Sequence, residues 1–240
     1  MAFRLTLPKL SQSSSRAFNG LKPFKTDLNA IESNPLLELQ KSCIQRGIAD
    51  VEGYRLNGAP WAFTLGEVDA TTSRPSVRTI GFQRVSEAGL DWLTRRKSSL
   101  VDEAVAICYT AGVYPPPAGE SCEQWRAEGQ LAEIPIVEAL KTAPRGSLAQ
   151  ILAVGRISEG RDERLAMYDR ERFLMESAKA KEQLQSADVE IRELEASVRF
   201  VRLMPDRMEL LVSGNIWERF EWTRNHDNAS WSAKQQLLPY

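Results

Sequence analysis

One histidine, His226, and three cysteines, Cys43, Cys108 and Cys122, are all that 240 residues offer of those types. A lone histidine excludes zinc sites that need two imidazoles and argues against a Ser-His-Asp triad. It also falls in a polar turn, HDNAS, where an imidazole is ordinarily just solvated. An odd, sparse cysteine set without CxxC spacing argues against a disulfide scaffold and suits a reducing interior. Glycines are scattered singly, so there is neither a GxGxxG fingerprint nor a P-loop to cradle a nucleotide phosphate. No apolar run reaches membrane-spanning length: the longest, Ala104–Val113, stops before Pro115-Pro116-Pro117. A net charge of -1 provides no basic field, so nucleic acid is not an expected partner.

What is present is a globular composition, 42% apolar and 26% charged, enough for a sizeable core. Residues 1–33 read as a flexible leader. They carry Arg4, Lys9, Arg16, Lys22 and Lys25, the serine cluster Ser11 to Ser15, and no acid before Asp27. That composition fits a disordered tail on a cytoplasmic protein, and it equally fits a mitochondrial transit peptide. Residues 34–240 are expected to form one domain.

Asn34 and Pro35 start a helix in which Leu36, Leu37, Leu39, Cys43 and Ile44 repeat at helical spacing. Trp61–Val68, a turn, and Arg74–Arg84 read as a hairpin. Gly89–Thr94, Ala104–Thr110 and Glu123–Leu131 are further strands. Pro135 to Ile157 turns helical, and Asp162–Ala187, free of Gly and Pro, is the strongest helix. The C-terminal run from Val201 holds three strand-like segments separated by Pro205-Asp206, Ser213-Gly214-Asn215 and His226-Asp227-Asn228. Strand alternation puts Asn215, Trp217, Arg219 and Glu221 on one face, with Ile216, Glu218, Phe220 and Trp222 on the other. Strands, then helices, then strands again argue for an α+β fold, most simply a small antiparallel barrel with helices on one side.

The acids of Asp162–Glu195 alternate with bases at helical spacing, which a solvated helix face explains. Arg78, Arg84, Arg95, Arg96, Lys97 and Arg219 lie in or beside strands. Should the strands close a barrel, several could converge on one anion, since Arg presents a fork suited to phosphate. Unrelated surface charges are the other reading of the same spacing.

From Asn34 to Pro239 the chain resembles the pyridoxamine 5′-phosphate oxidase family of FMN-binding split barrels. NPLLELQKSC is similar to that family's opening helix, and FTLGEVDATTSRPSVRTIGFQR to its A-T-V-D-x-x-G-x-P-x-x-R-x-V-L-L-K hairpin. GLDWLT and EQWRAEGQLAEI resemble the strands that follow, and ERFLMESAKAKEQ the late helix. VRLMPDRMELL, WERFEWTR and WSAKQQLLP resemble the ending R-V-x-P-x-x-x-E-F-W … R-L-H-D-R-F-x-Y-x-R … W … R-L-x-P.

The resemblance implies a Greek-key-like split β-barrel with flanking helices. It also implies a homodimer with FMN at the subunit interface and oxidation of pyridoxine or pyridoxamine phosphate to pyridoxal phosphate by oxygen. By the same resemblance Arg78 stands where a strand arginine holds the FMN phosphate. Thr94 matches a cofactor-contacting threonine, and Arg96 and Lys97 an Arg-Lys pair. Gln124 matches a flavin-contacting glutamine, with Glu123 and Gly129 keeping the spacing around it, and Arg219 matches the second arginine of R-L-H-D-R.

On the substrate side the pattern is altered. The hairpin's closing lysine is Gln83. The opening arginine of R-L-H-D-R is Asn215, and its histidine is Trp217. The tryptophan of E-F-W is Leu211. R-P-R-D-S reads Ala143-Pro144-Arg145-Gly146-Ser147, keeping Arg145 and Ser147 and losing the first arginine. Q-S-S is replaced by Arg156-Ile157-Ser158. Each lost charge-assisted contact costs on the order of 1.5–3 kcal/mol of binding. A homologue that binds FMN or pyridoxal phosphate, or only dimerises, without turnover is therefore the alternative to an active B6 oxidase.

Overall fold

The computed structural model describes residues 24–56, 62–68, 74–96, 105–111, 116–138, 143, 145–158, 169–186, 191–214, 216–225 and 230–238. Helix α1 (Pro35–Gln45) begins where a cap allows it: the Asn34 side chain accepts from the Leu36 N–H at 3.0 Å, and Pro35 occupies the first turn. Leu36, Leu39 and Cys43 then fall on one face and are fully buried. They pack into a core shared with Phe63, Phe82, Trp92, Trp125 and Trp222.

The strands are β1 (Phe63–Val68), β2 (Pro75–Ile80), β3 (Phe82–Ser86), β4 (Gly89–Arg95), β5 (Val105–Ala111), β6 (Cys122–Ile134), β7 (Val198–Ser213), β8 (Trp217–Thr223) and β9 (Gln235–Leu237). They form one antiparallel sheet in the order β2-β1-β5-β6-β7-β4-β3, with β8 on β7 and β9 on β8. β2 and β3 lie at opposite ends of that path yet are separated in sequence by Gly81 alone. The chain itself therefore joins the two edges and closes a barrel. The expected single strand over Arg74–Arg84 is thus two, because the chain leaves the β1 partner and joins β4 at this glycine.

Strand β7 divides the barrel. From Phe200 to Ser213 it pairs with β6, while its other edge is shared: Val198–Leu203 pair with β4, and Arg207–Ser213 pair with β8. Pro205 falls in the gap between those two partners, opposite a register shift in β6 at Glu128/Gly129. A proline has no N–H for a ladder and is tolerated at such an irregularity. Pro205-Asp206, expected to end a strand, instead marks the change of neighbour inside one continuous strand. On β8, Phe220 and Trp222 are buried and Trp217 is exposed, as alternation predicts.

Helices α2 (Arg145–Ser158), α3 (Arg170–Ser186) and α4 (Ile191–Ser197) form a second layer around Leu148, Leu152, Ala180, Leu194 and Phe200. The helical stretch expected from Pro135 begins directly after β6 ends at Ile134, with helical residues at 136–138, and continues as α2 from Arg145. Residues 162–168 and Ala187, expected within the α3 helix, lie outside the described residues, as does the turn at His226-Asp227-Asn228. Arg156 ties the layer together, donating to Glu193 at 2.7 Å and Gln183 at 2.9 Å.

The expected leader packs from Phe24 onward. The Phe24 carbonyl accepts from the Ser121 N–H at 3.0 Å, and the Thr26 hydroxyl donates to Glu123 at 2.6 Å. The buried Glu123 carboxylate also accepts from Ser42 at 2.6 Å and Trp125 Nε1 at 3.1 Å, joining this strap, α1 and β6. Among the described residues no helix is long and apolar enough to cross a membrane, and no cluster of metal-ligating side chains occurs.

Candidate functional site

β2 and β4 are not neighbours in the sheet, but the corner at Gly81 brings the end of one beside the end of the other. Between them, under α2 and the first turn of α3, is a cleft of about 360 Å³. Arg78 of β2 and Thr94 and Arg95 of β4 supply its polar wall; Ile151 and Val154 of α2 and Phe173 of α3 supply an apolar one. No carboxylate belongs to its described lining. Two guanidinium groups and a hydroxyl against an apolar wall suit an anion carried on a larger organic ligand.

Arg78 and Thr94, two residues expected to hold a cofactor, thus share one cleft. Arg95, one of the strand arginines expected to converge on an anion, joins them, whereas the sequence did not single out Gln150 or Phe173. Arg96 points elsewhere. Its guanidinium pairs with Glu133 and donates to the Glu195 carbonyl at 2.7 Å, in a groove between β6, β7 and α4. Arg199 donates to the same Glu133 at 3.2 Å. Lys97 and Asn215 lie outside the described residues.

Gln124 and Arg219 meet in a second group, on the outer face of β6, β7 and β8. In the register Gln124 stands opposite Leu211, and Leu211 opposite Arg219. Gln124 Oε1 accepts from Arg126 Nη2 at 3.1 Å, and Arg126 Nη1 donates to Glu209 at 3.3 Å. Glu209 also accepts from Arg219. Trp217, 40% exposed, begins β8 at the end of this face. At the other end of β8, Arg207 donates to Glu221 and, at 3.0 Å, to Glu128; the hydrogen bond to Glu221 raises the Arg207 guanidinium above its usual range.

The two groups are far apart along the chain's own strands. Thr94 pairs with Arg199, and Gln124 with Leu211. Those β7 residues are separated by roughly 40 Å of extended chain.

The residues expected on the substrate side are dispersed. Gln83 is 4% exposed at the irregularity between Phe82 and Arg84, and its Oε1 has no hydrogen-bond partner among the described residues. Arg145 is exposed at the start of α2, and Ser147 is half-buried in its first turn. Neither lines the cleft, which α2 reaches one turn later through Gln150.

No family model matches the chain, and no curated protein matches it in sequence. Solved structures do match. PhzG from Burkholderia lata 383, in complex with tetrahydrophenazine-1-carboxylic acid, aligns with a TM-score of 0.58 at 17% identity, over 92% of this chain and 100% of that one. A pyridoxamine 5′-phosphate oxidase-related, FMN-binding protein from Nostoc punctiforme PCC 73102 aligns with a TM-score of 0.47 at 20% identity, over 74% of this chain and 87% of that one. The PhzG likeness extends over nearly the whole chain, and it agrees with the closure at Gly81 and the divided edge of β7: the fold is an α+β split barrel.

Proposed function

We propose that this chain is a homodimeric FMN-binding protein that acts on phosphorylated B6 vitamers. The observation that carries the reading is the meeting of Arg78 and Thr94, with Arg95, in one cleft whose described lining holds no carboxylate. A cleft of about 360 Å³ is at the small end for a whole cofactor, which suits a phosphate-end subsite completed by another surface. The donor chemistry fits: Arg78 and Arg95 offer forked N–H groups to a phosphate, Thr94 a hydroxyl, and Ile151, Val154 and Phe173 an apolar wall that excludes water. FMN, when bound, supplies the hydride acceptor. The protein's share is to neutralise the phosphate and to hold a planar ring against a planar substrate.

A second reading, a homologue that holds FMN without oxidising B6 vitamers, is favoured by Gln83. Its side chain is buried in β3, where the resemblance expects a substrate-binding lysine. Purified protein that is yellow, releases flavin on denaturation and makes hydrogen peroxide from pyridoxine or pyridoxamine phosphate supports the first reading. Yellow protein without peroxide supports the second. Colourless protein with no affinity for added FMN overturns both. In either flavin reading Arg78→Met weakens FMN by roughly tenfold or more, the scale of a lost charge-assisted contact.

A further inference from the structure

Glu209 lies midway along the half of β7 that carries β8, on the face turned away from the barrel core, yet its side chain is only 4% exposed. Around it Gln124, Arg126 and Glu128 of β6 stand opposite Leu211, Glu209 and Arg207, which in turn stand opposite Arg219, Glu221 and Thr223 of β8. One carboxylate oxygen accepts from Arg126 Nη1 at 3.3 Å. The other accepts from Arg219 Nη2 and lies 3.6 Å from Arg207 Nη2. Such a carboxylate is costly to bury unless it is fully paired, and three arginines pair it.

The consequence reaches Gln124. Arg126, anchored on Glu209, presents its other Nη2 to the Gln124 side chain at 3.1 Å. A guanidinium only donates, so the amide must turn its oxygen toward Arg126. That leaves Nε2, the donor end, turned away from Arg126. One buried carboxylate thereby sets both side chains on which this face's ligand contacts rest: Arg219 directly, and Gln124 through Arg126.

Resting on the flavin reading above, we propose that Glu209 is a positioning residue that fixes N–H donors of Gln124 and Arg219 on the outer sheet face. Fixed in this way, the face selects a planar heterocycle that presents acceptors to those donors, as the two carbonyls flanking N3–H do on a flavin's pyrimidine edge. It rejects one that presents donors at those two positions, because opposed N–H groups would be left unpaired.

The experiment titrates the full-length protein with FMN, following flavin fluorescence and absorbance. It compares wild type, Glu209→Gln, Arg219→Lys, the double variant and Gln124→Glu, with urea midpoints measured alongside. Glu209→Gln is expected to weaken FMN about tenfold, within the coupling range of contacting groups, and to shift the absorption band of the bound flavin. The double variant should lose less than the sum of the two single losses, since part of the carboxylate's effect runs through Arg219. Gln124→Glu keeps its partner Arg126 but replaces the outward donor with an acceptor; it should fold like wild type and lose FMN by a similar factor. A purely structural Glu209 would lower the urea midpoint, leave the band of the bound flavin unmoved and give additive losses. That result, or wild-type affinity in Gln124→Glu, overturns the inference while the flavin reading stands. Failure of the wild type itself to bind FMN overturns both.

Discussion

Glu123 shows how a charge can be held inside a barrel: Thr26, Ser42 and Trp125 donate to it, and the Arg46 guanidinium lies 3.8 Å away. Its neighbours register that charge. Burial first, and then the Glu123 carboxylate, push the Cys43 thiol well above its usual range, against a smaller opposing pull from Arg46. Burial also raises the phenol of Tyr109 and the thiol of Cys122. Each of these groups keeps its proton in the folded state at a pH where the unfolded chain has released it. Folded protein then binds more protons, so the stabilisation is complete below the unfolded values and is lost as pH rises above about 9. The urea midpoint should be level between about pH 7 and 8 and fall steadily above about 9. Cys43→Ala should flatten that fall while leaving a remainder due to Tyr109 and Cys122. Parallel profiles for wild type and Cys43→Ala would contradict this account of Cys43.

At the scale of elements, the register shift where β6 passes Pro205 depends on Gly129. A side-chain carbon there would stand 2.2 Å from the Met204 carbonyl oxygen and 2.7 Å from the Pro205 Cα, both backbone atoms that cannot turn aside. Gly129→Ala should therefore cost about 1–3 kcal/mol in urea unfolding, the range for an overpacked interior. Gly214, with nothing within 4 Å of the same atom, is the control, and Gly214→Ala should stay within about 0.5 kcal/mol. Equal effects at the two glycines would contradict the role given to the bulge. The sequence makes β8 legible because Phe220 and Trp222 alternate with charged residues. It hides the break at Gly81 because the alternation of TIGFQR passes through it undisturbed. Arg78 and Thr94 can be picked out by motif, since each sits at a fixed place in its strand. Arg95 and Gln150 cannot, because their place in the cleft depends on where α2 docks on the closed barrel. The partner of Arg96 is equally hidden: Glu133 is 37 residues away and reaches it only once β6 and α4 are assembled.

On the scale of the whole molecule, the proposed contacts divide into two surfaces that share no residue: the Arg78–Thr94 cleft and the Gln124–Arg219 face. A cofactor held between copies of the chain would take its phosphate contacts from one protomer and its ring contacts from the other. In a two-fold dimer that arrangement repeats twice, each site built from unlike halves. Complementation then separates shared sites from self-contained ones. Arg78→Met and Arg219→Met should each bind little FMN alone. In a mixed dimer one site inherits both lesions, and the other inherits intact Arg78 from one chain and intact Arg219 from its partner. With random pairing, half of the dimers are mixed, so co-expression should restore roughly a quarter of the wild-type flavin content. Flavin released per chain from the co-purified dimer is the measurement. Content no higher than in the separate variants would show that each protomer carries a complete site, and the shared-site reading of the two surfaces would fall.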